Sequence, residues 1–184
     1  QSTISRGVSF KVLLAAPTGK AAIRMLDSMR EASNALQSDL LLNDEVLNDQ
    51  VLNQLPTEAN TIHKLLGYKH NSAQFKHNKN NPLHADVVLV DEASMIDIAL
   101  MSKLVDAVPA HAKLILIGDK DQLSSVETGS VFADMCEGLE GGENLVSLKK
   151  NWRFATDSDI GQCAVAANQG DSKTLLSILK DSSQ

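Results

Sequence analysis

Four aliphatic residues in succession, Val-Val-Leu-Val at 87–90, lead directly into two carboxylates, Asp91 and Glu92. An uninterrupted apolar run of this length is typical of a strand covered on both faces, as in a parallel sheet flanked by helices. Parallel strands present their carboxyl ends to the ligand crevice, so both acids are expected at that edge. There Asp91 could hold Mg²⁺, and Glu92 could orient and deprotonate a water that attacks a γ-phosphate. The alternative is that the two acids merely open a solvated turn before a helix.

A second apolar run, at 114–117, ends in the same way, with Gly118, Asp119 and then Gln122 behind it. If the two runs form adjacent parallel strands, Asp119 and Gln122 join Asp91 and Glu92 along one sheet edge. A neutral Gln at that place can sense a γ-phosphate, or the water that attacks it, without repelling either. Taken alone, the segment could equally be a polar turn after a strand. That alternative weakens when both segments are considered together.

A third predicted strand, at 10–16, leads into Pro17-Thr18-Gly19-Lys20. A nucleotide-binding P-loop requires Gly, four residues, Gly, Lys and then Ser or Thr, and only Gly19-Lys20 fits that pattern. The segment is still a strand-to-helix turn with free backbone N–H groups and a lysine. Such a turn is suited to binding one phosphate of a polymer, although it could also be a simple helix start.

Around these segments the sequence alternates strands with amphipathic helices, which is the pattern of an α/β domain with a largely parallel sheet. Asn60 or Thr61 could cap one short helix, and Gly67 could end it. The predicted helices lie at about 20–36, within 40–55, at 61–66, after Asp97, around Phe132 and twice at the end of the chain, and a last strand is predicted at 145–148.

The distribution of charge bears on the partner. The net charge of −6 argues weakly against a chain whose sole role is to bind phosphates. However, residues 63–84 contain four lysines and no carboxylate, and screening limits fields to about 10 Å, so this local excess matters more than the sum. Within this stretch, 68–83 has no helical period and is predicted to form a hairpin that turns at 71–73. Tyr68 and Phe75 on the hairpin are the aromatic residues placed to meet a nucleic acid base.

Several function classes are excluded. No apolar run approaches the roughly 18 residues of a membrane span, so no membrane association is expected. The two cysteines, Cys136 and Cys163, are too few for a disulfide framework or a four-ligand zinc site, and both lie in apolar helical settings. This indicates reduced core residues of a cytoplasmic protein. Histidines recur every seven residues at 63, 70, 77 and 84, whereas a helical metal site needs spacings of three or four. A metal site built from these histidines is therefore not expected.

Arg153 stands between two aromatic residues, Trp152 and Phe154, after the last predicted strand. It could be a structural arginine held by cation–π contacts. It could equally be an arginine placed against a γ-phosphate from the edge of the domain. The residues alone leave both interpretations open.

Taken together and in this order, the segments 14–22, 61–67, 90–97 and 118–123 resemble superfamily 1 DNA helicases of the 5′-to-3′ class. The similarity runs over most of residues 10–170. It implies a RecA-like P-loop NTPase domain with a mainly parallel sheet, which uses ATP and Mg²⁺. In that family the strand carrying the P-loop should precede Phe10, and a second RecA-like domain should follow the final helices. We therefore expect an internal fragment that lacks its first strand and P-loop.

The resemblance also implies roles for individual positions. Asp91 would be the Mg²⁺ partner and Glu92 the catalytic base. Asp119 and Gln122 would couple the γ-phosphate to DNA, and Arg153 would contact that phosphate. The hairpin, with Phe75, would be the pin that helps to part the strands. The remaining DNA-contacting positions would be Pro17, Thr18, Gly19, Lys20, Thr61, His63 and Lys64.

In this interpretation residues 1–155 are a partial RecA-like helicase domain, domain 1A, and the helices in 156–184 lead toward the second domain. The implied function is ATP-driven 5′-to-3′ translocation on single-stranded DNA. The protein would be a subunit of a multisubunit helicase-nuclease in double-strand break repair and recombination, with the nuclease on a partner subunit. Two alternatives remain, a helicase of the same type that works alone and a non-catalytic α/β interaction module that kept the fold.

Overall fold

The computed structural model describes residues 10–42, 55–69, 72, 74–120, 122, 131–148 and 158–181. A 3₁₀ turn over Ala93–Met95 follows the third strand. The predicted alternation of strands and helices is confirmed, while most of the helix predicted within 40–55 lies outside the described residues. In chain order the elements are β1 (Val12–Ala16), α1 (Gly19–Leu42), β2 (Ala59–Thr61), α2 (Ile62–Leu66), β3 (Val87–Val90), α3 (Ile98–Ala107), β4 (Lys113–Leu116), α4 (Val131–Gly138), α5 (Asp159–Asn168) and α6 (Ser172–Asp181).

The four strands form one parallel sheet in the order β2-β1-β3-β4. The register pairs Ala16 with Thr61, and it pairs Val90 with both Ala15 and Leu116. Because all strands run the same way and end at nearly the same level, their carboxyl ends lie along a single edge. The predicted α/β domain with a parallel sheet is therefore confirmed.

The core is centred on β1 and β3. Leu14, Val88 and Val90 are fully buried, and the helices cover them with side chains that are themselves fully buried, such as Leu66 and Leu104. Burial of this kind contributes about 1.5–3 kcal/mol for each large aliphatic side chain. The strand predicted at 87–90 is confirmed, but only the face with Val88 and Val90 is fully buried, while Val87 and Leu89 on the opposite face are half-buried.

The same prediction is wrong for β4. Ile115 and Ile117 keep 37% and 46% of their surface exposed, although the apolar run at 114–117 predicts a buried strand. Within the described residues β4 pairs with β3 alone and forms the outer strand of the sheet. An outer strand has a neighbour on one side only, so its side chains receive less cover than those of β3.

Helix boundaries follow the predicted caps. The Thr61 side chain accepts a hydrogen bond from the Lys64 amide, and Gly67 ends α2 in the left-handed conformation with φ 72°. The Asp97 carboxylate accepts from the Leu100 amide at 2.8 Å and starts α3. Each cap satisfies a backbone group that a helix end leaves unpaired.

The chain divides into two compact units, Gln1–Gly138 and Leu139–Gln184. In the second unit α5 and α6 pack against each other, and Asp171 caps α6. Hydrogen bonds from the hydroxyl and the amide of Thr174 hold the pKa of the Asp171 carboxyl below its usual value. The boundary predicted near residue 155 stays a prediction.

The strand predicted at 145–148 is absent from the structure. This segment has no regular structure, and Val146 and Leu148 are almost fully exposed. An apolar segment becomes a strand only where another strand supplies backbone partners, and none of the described strands pairs with it.

Two smaller predictions concern the cysteines and the membrane. Cys136 is buried and Cys163 half-buried, and both thiols are free. Of the helices in the described parts of the chain, none is long and apolar enough to cross a membrane.

Candidate functional site

The carboxyl edge of the sheet brings most of the predicted site residues together. β2 ends at Thr61, with His63 and Lys64 in the helix that follows, and β1 leads into the turn at 17–20. β3 is followed by Asp91 and Glu92, and β4 by the segment 117–122. Since the sheet order is β2-β1-β3-β4, these four loops follow one another along the edge, spaced by about 4.8 Å per strand.

The edge is divided by charge. The loops after β2 and β1 carry His63, Lys64 and Lys20, all exposed. The loops after β3 and β4 carry the carboxylates Asp91, Glu92 and Asp119, and one exposed cation, Lys120, accompanies them among the described residues. The basic half is suited to phosphates of a polymer, and the acidic half is suited to a metal ion and to proton transfer.

Asp91 is anchored by its backbone and its side chain. Its amide donates to the Ala15 carbonyl oxygen at 3.0 Å, which extends the pairing of β3 with β1 by one residue. Its Oδ1 atom accepts from the Glu92 amide at 2.9 Å. Both Asp91 and Glu92 are half-buried at the sheet edge, and the hydrogen bond to the Glu92 amide holds the Asp91 carboxylate there.

Glu92 has an unusual backbone. Its φ of 54° and ψ of 39° lie in the left-handed region, and among the described residues it is the only non-glycine with positive φ. That conformation costs an L-residue about 1–2 kcal/mol. Strain of this kind persists where the surroundings enforce it, and it is concentrated at functional sites. Sequence reasoning missed it, because a Gly or Asn is the residue that signals a left-handed position and neither is present here.

The loops after β3 and β4 are packed tightly together. The Ala93 amide donates to the Ile117 carbonyl oxygen at 2.8 Å. A β-carbon added at Gly118 would lie 3.0 Å from the backbone N of Ser94 and 3.1 Å from the Phe132 ring. At these distances an added β-carbon would require its neighbours to move by a few tenths of an ångström, so Gly118 permits the close contact between the two loops.

Two of the predicted nucleotide-contacting residues lie at the end of the β4 loop. Asp119 and Gln122 are exposed, and the Gln122 amide donates to the Asp119 carbonyl oxygen at 3.3 Å in a turn. Arg153 lies outside the described residues, as do its aromatic neighbours Trp152 and Phe154. Its place at this edge therefore stays a prediction.

On the basic half, two threonines cap the helices that follow the adjacent strands β1 and β2. The Thr18 hydroxyl accepts from the Ala21 amide at 3.2 Å, and Thr61 caps α2 in the same way. In both caps the hydroxyl oxygen accepts, so its proton stays available to donate to a phosphate oxygen. A phosphate at this edge would also meet backbone N–H groups and lysines, and a β-carbon at Gly19 would have no atom within 4 Å, so the backbone there is open to a ligand.

The predicted hairpin is present at its base. Tyr68 and Phe75 form an antiparallel bridge, and the Lys76 amide donates to the Gly67 carbonyl oxygen at 3.0 Å. The turn residues predicted at 71–73 fall outside the described part except Ser72. Phe75 is half-buried, and its ring meets the His63 ring edge-on with centroids 5.8 Å apart. The aromatic residue predicted to meet a base therefore also contacts the helix that carries Lys64.

Metal binding at this edge would rest on few protein ligands. Within the described residues, no group of three His, Cys, Asp or Glu side chains is placed to hold a metal ion. Mg²⁺ commonly takes one or two carboxylates and completes its shell with phosphate oxygens and water. The arrangement around Asp91 is compatible with that mode of binding.

Comparison with known proteins adds an independent line of evidence. A family model described as AAA domain matches residues 1–128. The chain is 38% identical over 180 residues to the RecBCD enzyme subunit RecD of Mycolicibacterium smegmatis, covering 97% of this chain and 30% of that protein. It is 36% identical over 172 residues to the protein of the same name in Mycobacterium tuberculosis strain H37Rv, covering 92% of this chain and 28% of that protein. With the ATP-dependent RecD2 DNA helicase of Deinococcus radiodurans it shares 31% identity over 168 residues, covering 91% of this chain and 19% of that protein. The chain thus spans less than a third of the length of these relatives.

Proposed function

The chain belongs to the AAA domain family, and from this membership and its similarity to RecD proteins we propose that it is part of a RecD-type DNA helicase. The helicase moves 5′ to 3′ along single-stranded DNA by hydrolysing ATP. It acts as the RecD subunit, the alpha subunit of exodeoxyribonuclease V, together with RecB and RecC in double-strand break repair and recombination. The nuclease activity of that complex resides on a partner subunit. The domain is RecA-like, and the protein acts in the cytoplasm.

One observation carries the proposal, namely that a single sheet edge holds an acidic half and a basic half. The acidic loops follow β3 and β4, and the basic loops follow β1 and β2. The Asp91 amide bonds to the carbonyl oxygen of Ala15, the penultimate residue of β1, so the two halves share a backbone connection. A translocase needs such a connection, because hydrolysis on one side must alter the grip on DNA on the other.

On the acidic half, each residue has a distinct role. Bound Mg²⁺ would neutralise charge on the phosphates of ATP, and Asp91 would hold it. Glu92 would accept the proton of the attacking water, as a general base. Asp119 and Gln122 would face the γ-phosphate, and Arg153 would contact it from the edge of the domain.

On the basic half, the turn at 17–20 and the start of α2 would grip the DNA backbone. Lys20 and Lys64 would supply charge, and the amides near Gly19 would donate hydrogen bonds to phosphate oxygens. Such contacts do not depend on base sequence, which suits a protein that moves along any strand.

A second candidate, favoured by the Deinococcus relative named as a RecD2 DNA helicase, is a helicase of the same chemistry that works without RecB and RecC. Purification of the natural protein under gentle conditions distinguishes the two, since only the first candidate copurifies with both partners. A non-catalytic α/β module is disfavoured by the left-handed Glu92, because a chain without catalytic duty has no reason to keep a strained carboxylate.

The proposal is tested by measuring ATP hydrolysis by the full-length protein with and without single-stranded DNA. We expect DNA to stimulate the wild type, and Glu92→Gln to lower the stimulated rate by about 10²–10⁴-fold while ATP binding is retained. Glu137→Gln, which removes an exposed glutamate from α4, is the matched control and should behave as wild type. Wild-type turnover by Glu92→Gln would disprove the assigned base.

A further inference from the structure

Ser94, three residues after Asp91, holds a buried hydroxyl without a hydrogen-bond partner in the part of the chain that the structure describes. The residue is only 6% exposed, in the 3₁₀ turn that follows β3. Buried hydroxyls are almost always paired in folded proteins, since water can no longer satisfy them. An unpaired one at a functional edge therefore calls for a partner that is absent in this conformation.

The surroundings of Ser94 limit where that partner can come from. Gly118 packs against the backbone of Ser94, and the Phe132 ring closes the same space. The neighbouring residue, Ala93, is hydrogen-bonded to Ile117. The turn of Ser94 therefore lies directly against the start of the loop after β4, of which residues 117–120 and 122 are described.

That segment also carries Asp119 and Gln122, the residues assigned to the γ-phosphate. On the other side, Ser94 is two residues from the strained Glu92, and the Met95 amide donates to the Glu92 carbonyl oxygen at 3.0 Å. Ser94 thus lies between the group that would sense the nucleotide and the group that would take the proton.

We propose that Ser94 is a positioning residue whose hydroxyl pairs with the backbone of residues 118–120 when that part of the loop turns toward a bound nucleotide. This role rests on the proposed function. The unpaired hydroxyl raises the free energy of the nucleotide-free arrangement, and pairing lowers that of the nucleotide-bound one. A difference of this kind is what allows a ligand to shift a two-state equilibrium. Formation of the bond would fix the turn of residues 93–95 and with it the orientation of Glu92.

The competing explanation is that Ser94 is simply a small residue that fits the space. The two explanations predict different effects of Ser94→Ala on the activity of the full-length protein. Removing an unpaired buried hydroxyl should leave the melting temperature without nucleotide equal to or above that of the wild type. In our proposal the same variant lowers the DNA-stimulated kcat by about 3- to 10-fold, the value of one net hydrogen bond, and leaves ATP affinity unchanged.

Two further variants sharpen the test. Ser94→Cys keeps the size of the side chain but offers only a weak donor, so we expect a defect close to that of alanine. Full activity of Ser94→Cys would show that volume matters rather than hydrogen bonding, and would overturn the proposal. Ser102→Ala removes an exposed hydroxyl from α3 and should leave kcat unchanged.

The remaining outcomes separate this role from the proposed function. An unchanged kcat for Ser94→Ala, in a wild type that DNA does stimulate, overturns the positioning role alone. A lower melting temperature for Ser94→Ala shows that the hydroxyl was already paired, and overturns it as well. A wild type that DNA does not stimulate overturns the proposed function and this role with it.

Discussion

A β-carbon placed at Gly67 would lie 2.7 Å from the Cβ of Lys76, closer than real side chains approach. Gly67 ends α2 with φ 72°, and its carbonyl oxygen accepts a hydrogen bond from the Lys76 amide. The same glycine therefore ends the helix that carries His63 and Lys64 and closes the base of the hairpin. No other residue type meets both requirements, because the position needs a left-handed backbone and leaves no space for a β-carbon.

Gly67→Ala should accordingly be costly. We expect about 1–2 kcal/mol from the left-handed backbone and a further loss from the contact with Lys76. Gly170→Ala is a matched control, because Gly170 also has positive φ but a β-carbon there meets nothing within 4 Å. Thermal unfolding of the two variants measures the difference. Equal losses would mean that the hairpin moves aside and that its base is not rigid.

Lys20 and Lys64 are expected to contact DNA phosphates. Lys20→Ala and Lys64→Ala should each weaken binding of single-stranded DNA regardless of sequence, and each should reduce the slope of log affinity against log salt by about 0.7. Lys113→Ala provides the control, because Lys113 is exposed at the amino end of β4, on the opposite edge of the sheet. Titration of a labelled oligonucleotide at several salt concentrations gives both quantities. A uniform response of all three variants would contradict a localised DNA track.

Because the Glu92 backbone is strained, replacing Glu92 by glycine should raise the free energy of unfolding while lowering the rate of ATP hydrolysis. Glu92→Gly relieves about 1–2 kcal/mol of left-handed strain and loses about 0.4–1 kcal/mol through the more flexible unfolded chain, so a net gain of up to about 1.6 kcal/mol is expected. Glu92→Gln keeps the strain and should not gain stability. Both variants should lower the DNA-stimulated rate of ATP hydrolysis by about 10²–10⁴-fold. The comparison is made by thermal unfolding, and a glycine variant that melts below the glutamine variant would show that the backbone is not strained.

Much of this architecture can be predicted because it depends on local pattern. The composition of the run at 87–90 is enough to predict a buried strand, and residue type and spacing are enough to predict Thr61 and Asp97 as caps. Adjacent parallel strands bring the loops at their carboxyl ends to one edge, so topology places Asp91 and Gln122 at the same edge of the sheet.

The features that escape prediction depend on neighbours that are distant in sequence. The exposure of Ile115 results from β4 being the outer strand of the described sheet, and the lack of structure at Val146 results from the lack of a described strand beside it. The left-handed Glu92 and the unpaired Ser94 hydroxyl arise where loops from two strands press together. No local periodicity encodes these features, because each is imposed by tertiary packing.

Two roles are open to Phe75, contact with DNA and packing of the hairpin against α2. Its half-buried ring meets the His63 ring edge-on at an interplanar angle of 62°. If the hairpin parts DNA strands, Phe75→Ala should impair unwinding of a forked duplex and leave single-strand-stimulated ATP hydrolysis largely intact. Loss of the ring contact should lower stability by about 0.5–1.5 kcal/mol beyond the lost burial. Phe75→Leu keeps most of the apolar surface but offers no ring to a base or to His63, so it should recover the stability due to burial, but not that of the ring contact, without restoring unwinding. Tyr68→Ala, which removes the exposed partner of the same bridge, should reproduce the unwinding defect with little effect on stability. If Phe75→Leu restores unwinding, or if Phe75→Ala lowers unwinding and ATP hydrolysis in parallel, the ring serves to pack the hairpin against α2 and does not touch DNA.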